Sequence, residues 1–177
     1  MSEVFYLLIV QAALGGFDVL WNHEYRERLP HSAFAALEQK IHAARELLYA
    51  GIFFALAYAE WHGWWVIVMA MPLAIELLLT AWDFIVEDRT RKLSAVERTT
   101  HLLLSVNGGA YLALLVPQFV HWGSQPTRVL AADYGLLSLA LLGFGLAVLG
   151  WGIRDLIAGI RLKTDTTVYA LNEGGLR

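Results

Sequence analysis

Residues 64–87 read WWVIVMAMPLAIELLLTAWDFIVE, an apolar run broken by three acids, Glu76, Asp83 and Glu87. At 1.5 Å rise per residue such a run crosses the roughly 30 Å hydrocarbon core of a bilayer. Steps of seven and four residues return the acids to one helix face. An ionised carboxylate near the middle of a membrane helix costs at least ~2.5 kcal/mol, so intramembrane acids read as functional until shown otherwise. The stretch therefore predicts a transmembrane helix carrying a chemically active stripe.

The same polar spacing occurs a second time. Gln11-x6-Asp18-x3-Asn22 matches Glu76-x6-Asp83-x3-Glu87 position for position. Each stretch is followed by a second pair, Glu38-x3-His42 in the first and Glu97-x3-His101 in the other. An acid and an imidazole four residues apart lie about 6 Å apart on one face, within reach of a common ion. Asp18 and Asp83 fall near the ends of their spans, and both Glu/His pairs fall at the starts of theirs. The expectation is that Asp18, Glu38, His42, Asp83, Glu97 and His101 converge at one depth and bind metal. Oxygen-rich sites with two imidazoles suit iron or manganese better than structural zinc, although zinc is an alternative.

This ligand logic resembles the carboxylate/histidine di-iron four-helix-bundle proteins. They take one acid from each of two helices and a Glu/His pair from each of the other two. The resemblance spans residues 11–105, with Glu-x3-His in place of their Glu-x2-His. It implies two metal ions, iron first. Second candidates, as further ligands or as partners orienting a ligand histidine, are Asn22, His23, Glu24, Glu46, Tyr49 and Glu87. Arg45, Arg89 and Arg91 are placed to balance excess carboxylate charge. Gln11 and Glu76 are intramembrane polar residues expected to pair across the bundle axis, with a proton relay as the functional alternative for Glu76. Ser94-Ala-Val-Glu97 also spells a capping box, which by itself accounts for Glu97 at a helix start.

Composition sets the class. The 177 residues are 58% hydrophobic and 16% charged, against about 45–50% and 25% in soluble domains; mean hydropathy is +0.52. The expected fold is an all-α integral membrane domain with five spans, at 4–21, 47–59, 64–86, 102–122 and 134–153. The second helix begins near Ala33. Four helices form a pseudo-twofold bundle of two repeated hairpins, repeat A over 4–60 and repeat B over 64–122. Small-residue faces at Gly143-x3-Ala147 with Gly150, and at Ser105-x3-Gly109-x3-Ala113, are expected to pack closely. Glu60–Gly63 reads as a tight turn with Glu60 and His62 solvated. Residues 154–177 form the tail.

Twelve of the thirteen Lys and Arg residues fall on one side, Arg128 being the exception. That side is therefore cytoplasmic, with the N-terminus outside and the C-terminus inside, and a bacterial cytoplasmic membrane is the expected location. The absence of cysteine excludes disulfides, thiolate metal sites and a Cys nucleophile. A net charge of −3 gives no nucleic-acid footprint. The expected partners are membrane lipids and a lipophilic substrate; a homo-oligomer is left open. The leading function is a binuclear metal oxidoreductase. The alternatives are a haem electron carrier ligated by His42 and His101, a proton or metal-ion transporter, and an assembly subunit.

Overall fold

The computed structural model describes residues 1–162, so the expectation for residues 163–177 lies outside it. Five long helices make up the fold of the described residues. Helix α1 (Ser2–Phe17) runs without a break into a π-helical segment, Asp18–Arg26. Two short 3-10 turns then lead to α2 (Ala36–Tyr58). Helix α3 (Trp65–Thr90) and α4 (Ala95–Gly123) follow, then α5 (Leu136–Arg161). Between them, β1 (Ala59–His62) and β2 (Arg128–Ala131) pair antiparallel, Ala59 opposite Ala131 and His62 opposite Arg128.

Among the described residues, four segments are long and apolar enough to cross a membrane: Ser2–Arg26, Trp65–Thr90, Ala95–Gly123 and Leu136–Arg161. Their outer surfaces remain apolar, with Leu78, Leu102, Val120 and Leu136 all largely exposed. That surface suits lipid rather than water. Helix α2 falls outside this group because Glu38, Lys40, His42, Arg45 and Glu46 crowd its first half. It is instead enclosed, packed between α3 and α5. Helix α1 packs on α4 and α5, whereas α3 and α4, though consecutive, touch little.

The interior divides along its length. Toward the small sheet, Phe5, Leu8, Phe53, Leu56, Leu115, Trp122 and Leu141 form an apolar core. Toward the α3–α4 turn lies a cluster of buried polar residues: Asp18, Asn22, His23, Glu38, His42, Asp83, Glu87 and Glu97. Helix α4 starts as its capping box predicts, the Glu97 N–H donating to Ser94 Oγ at 3.2 Å.

Several local expectations change. The close packing of α5 uses Gly145, Gly152 and Gly159, spaced by seven, not the Gly143/Ala147/Gly150 face. A Cβ at these three positions would lie 2.6 Å from Phe54 Cε1, 3.1 Å from Glu46 Cβ and 2.9 Å from Lys40 Cγ, all on α2. Gly143 and Gly150 would meet nothing within 4 Å, and Ser105, Gly109 and Ala113 are exposed. The segment Glu60–Gly63 is a strand ending in a turn at Gly63, whose φ of 59° and close approach to Thr127 favour glycine. His62 is buried, its Nε2 2.9 Å from Glu60 Oε2, and the Tyr134 hydroxyl donates to Glu60. Helix α5 continues to Arg161, so the expected start of the tail at 154 is helical.

Candidate metal centre

Each of the first four helices delivers a polar side chain to one buried volume near the α3–α4 turn. Helix α2 brings Glu38 and His42 from its first two turns, and α4 brings Glu97 and His101 in the same way. Helix α3 contributes Asp83 and Glu87, four residues apart near its end. The π-helical segment after α1 contributes Asp18, Asn22 and His23. A π ladder bonds residue i to i+5, as the Glu27 N–H does to the Asn22 carbonyl at 2.9 Å. It therefore stacks His23 close to Asp18, and all three side chains face inward with exposures of 5%, 0% and 2%.

Two overlapping sets of ligand-type side chains result. His23, Glu87, Glu97 and His101 place one donor atom each within 4.8 Å of one another, and so do His23, Glu38, His42 and Glu87. All of these side chains are inside the protein. Each set contains one of the expected Glu/His pairs, and His23 and Glu87 belong to both. The sequence reading ranked His23 and Glu87 second; here they are central.

Asp18 and Asp83 sit one step back, outside both sets. His101 Nε2 lies 3.1 Å from Asp18 Oδ2, and His42 Nε2 lies 3.0 Å from Asp83 Oδ2. A carboxylate against an imidazole nitrogen fixes the ring's orientation and raises its basicity. Asn22 donates to Asp18 at 2.7 Å and so fixes that aspartate in turn. The His23 and His42 rings meet at a tilt of 47°, with centroids 4.4 Å apart.

The charges are partly matched. Arg91, from the α3–α4 turn, donates to Glu38 at 2.7 Å and to Glu97 at 2.6 and 2.9 Å. Burial opposes its charge, but the hydrogen bonds it donates to Glu97 and Glu38 outweigh that and hold the guanidinium above its ordinary range. The Glu97 carboxylate thus faces Arg91 rather than closing the capping box on Ser94. Arg45 bridges Glu76 and Asp83, the latter at 2.6 Å.

The unmatched atoms are the sharper signal. Both ring nitrogens of His23 and both carboxylate oxygens of Glu87 are buried without a hydrogen-bond partner. Leaving a buried polar group unsatisfied costs about 1–3 kcal/mol and more when it is charged, and native proteins rarely tolerate it without an ion or water. The two residues common to both sets are thus among the buried side chains without hydrogen-bond partners, as is Gln39, next to Glu38 in sequence.

The remaining candidates fall elsewhere. Glu24 pairs with Arg154 and ties α5 to the π-helical segment. Glu46 lies against α5 beside Gly152. Glu76 pairs with Arg45 and accepts from Thr80 at 2.7 Å, not with Gln11. Gln11 belongs to a separate uncharged cluster, donating to Tyr49 and accepting from Asn107 at 2.8 Å. The Tyr49 and Tyr111 hydroxyls are 3.2 Å apart there. Sequence reasoning missed Tyr111 and Asn107, which look like ordinary positions in an apolar span.

Comparison with known protein families, with curated proteins and with solved structures returns no match. The functional reading therefore rests on the chemistry of the site.

Proposed function

We propose that the protein is a membrane-embedded binuclear metal oxidoreductase acting on a lipophilic substrate. The observation that carries this reading is the pair of four-residue donor sets joined through His23 and Glu87, both of whose side chains are buried without a hydrogen-bond partner. Glu38 and His42 would hold one ion and Glu97 and His101 the other, with Glu87 and His23 available to both. Asp83 and Asp18 orient His42 and His101 from behind.

Charge supports two ions. The buried acids around the site are Asp18, Glu38, Glu76, Asp83, Glu87 and Glu97, and the guanidiniums facing them are Arg45 and Arg91. With neutral imidazoles four negative charges remain, which two divalent cations neutralise. Oxygen-rich ligation with histidine favours iron, then manganese. Paired irons supply redox chemistry toward dioxygen. The protein's part is to hold the carboxylates and imidazoles, to keep water out, and to accept or release protons at ligand carboxylates such as Glu87.

A lipophilic substrate is favoured by the apolar exterior and by a groove of about 220 Å³ between α3 and α4. Its walls are apolar throughout, including Ala70, Leu73, Ala74, Leu115 and Phe119. Leu73 and Leu115 also belong to the core, one helical turn from Glu76 and Tyr111. We read the chain as crossing the membrane five times, with the N-terminus outside and the site near the cytoplasmic face of a bacterial membrane. The repeated hairpins are supported by matching contacts: α1 packs on α4 as α2 packs on α3, and Asp18 meets His101 as Asp83 meets His42. A haem between His42 and His101 gains no support, because carboxylates and His23 crowd both rings.

The test is substitution at the shared residues. Glu87→Gln and His23→Ala should each lower bound transition metal from two ions per chain to one or none, with the protein still folded in detergent. Unchanged metal content in both variants would remove Glu87 and His23 from the site.

A further inference from the structure

Resting on the binuclear reading, we propose that Arg91 is a positioning residue that couples the two half-sites, so that they load as a pair. Glu38 and Glu97 come from different helices, are both 0% exposed, and would repel one another if ionised. A single guanidinium holds them together. Arg91 Nη2 is 2.7 Å from Glu38 Oε1 and 2.6 Å from Glu97 Oε1, Nη1 is 2.9 Å from Glu97 Oε2, and Nε is 3.3 Å from both Glu38 oxygens. Nη2 also lies 3.6 Å from Glu87 Oε1. The one planar fork thus touches an acid from each half-site and the acid common to both.

These contacts leave the metal positions open. Each carboxylate offers about four lone-pair sites and Arg91 uses only some of them. Glu97 Oε1 accepts from Arg91 while also lying 3.6 Å from His23 Nε2, a member of the same donor set. Arg91 therefore holds the two carboxylates together while lone pairs on them remain for the ions. Outer partners of this kind typically change metal affinity 10–100-fold when removed. Lysine, a point charge on a flexible stem, cannot reproduce the fork.

Manganese(II) titration of the purified full-length protein, read by electron paramagnetic resonance, tests this. Two neighbouring ions give an exchange-coupled spectrum, and isolated ions a six-line one. Wild type and an Arg89→Ala control, which alters an exposed arginine, should bind two coupled ions. Arg91→Lys and Arg91→Gln should lose the coupled spectrum and weaken binding 10–100-fold at both positions while helix content stays unchanged. If either variant folds and keeps the coupled pair at wild-type affinity, or binds manganese more tightly, Arg91 is not the coupling residue. If wild type takes up no coupled pair, the binuclear reading fails and this inference with it.

Discussion

At the scale of single residues, the site combines groups whose charges are met with groups whose bonding capacity is not. Glu38, Glu97, Glu76 and Asp83 are met by Arg91 and Arg45; His23 and Glu87 have charged neighbours near 3.6 Å but no hydrogen bond. Removing one partner of a buried pair is costly because the other charge is left behind, about 3–5 kcal/mol. Arg45→Met, which strands Glu76 and Asp83, should therefore lower unfolding stability by about that amount in detergent. A loss under ~1 kcal/mol would mean that Arg45 is not their counter-ion. The two Glu/His pairs were legible in the sequence because a spacing of four in an apolar helix needs no tertiary knowledge, and because it occurs twice. His23 was harder to place. On an α-helical wheel it leaves the stripe of Asp18 and Asn22, and only a π ladder restores it.

Among the elements, that π-helical segment is the feature local sequence rules do not announce. Asp18–Arg26 has no proline and no glycine to mark a change of ladder. The contact of α5 with α2 was only half legible, since small residues were visible but the face they occupy depends on the partner helix. Gly152→Leu should overpack against Glu46 and Leu47, only 3.1 and 3.3 Å from its added Cβ, and cost about 1–3 kcal/mol. Gly143→Leu, with nothing within 4 Å of the new Cβ, should leave thermal unfolding unchanged. Equal effects would contradict the spacing-by-seven face. The β1–β2 pairing joins segments nearly seventy residues apart, and no short-range signal predicts such a contact.

For the whole molecule, apolar composition and four membrane-capable helices place the chain in a bilayer. The enclosed polar half of α2 explains why hydropathy alone gives α2 a shorter apolar run than its length. The proposed sidedness rests on the basic residues, and the chain's lack of cysteine makes it directly testable. Single Lys92→Cys and Arg128→Cys variants should react with an impermeant maleimide from opposite sides, the second from outside intact cells. Labelling of both from one side would reverse or break the proposed topology. The central claim, two transition-metal ions held by four helices, is tested most directly by elemental mass spectrometry on detergent-purified protein, wild type beside a His42→Ala/His101→Ala variant. The account predicts about two iron or manganese ions per chain, from the two donor sets, and their loss in the variant. A wild type that holds no transition metal after reconstitution, or a variant that keeps both ions, would contradict it.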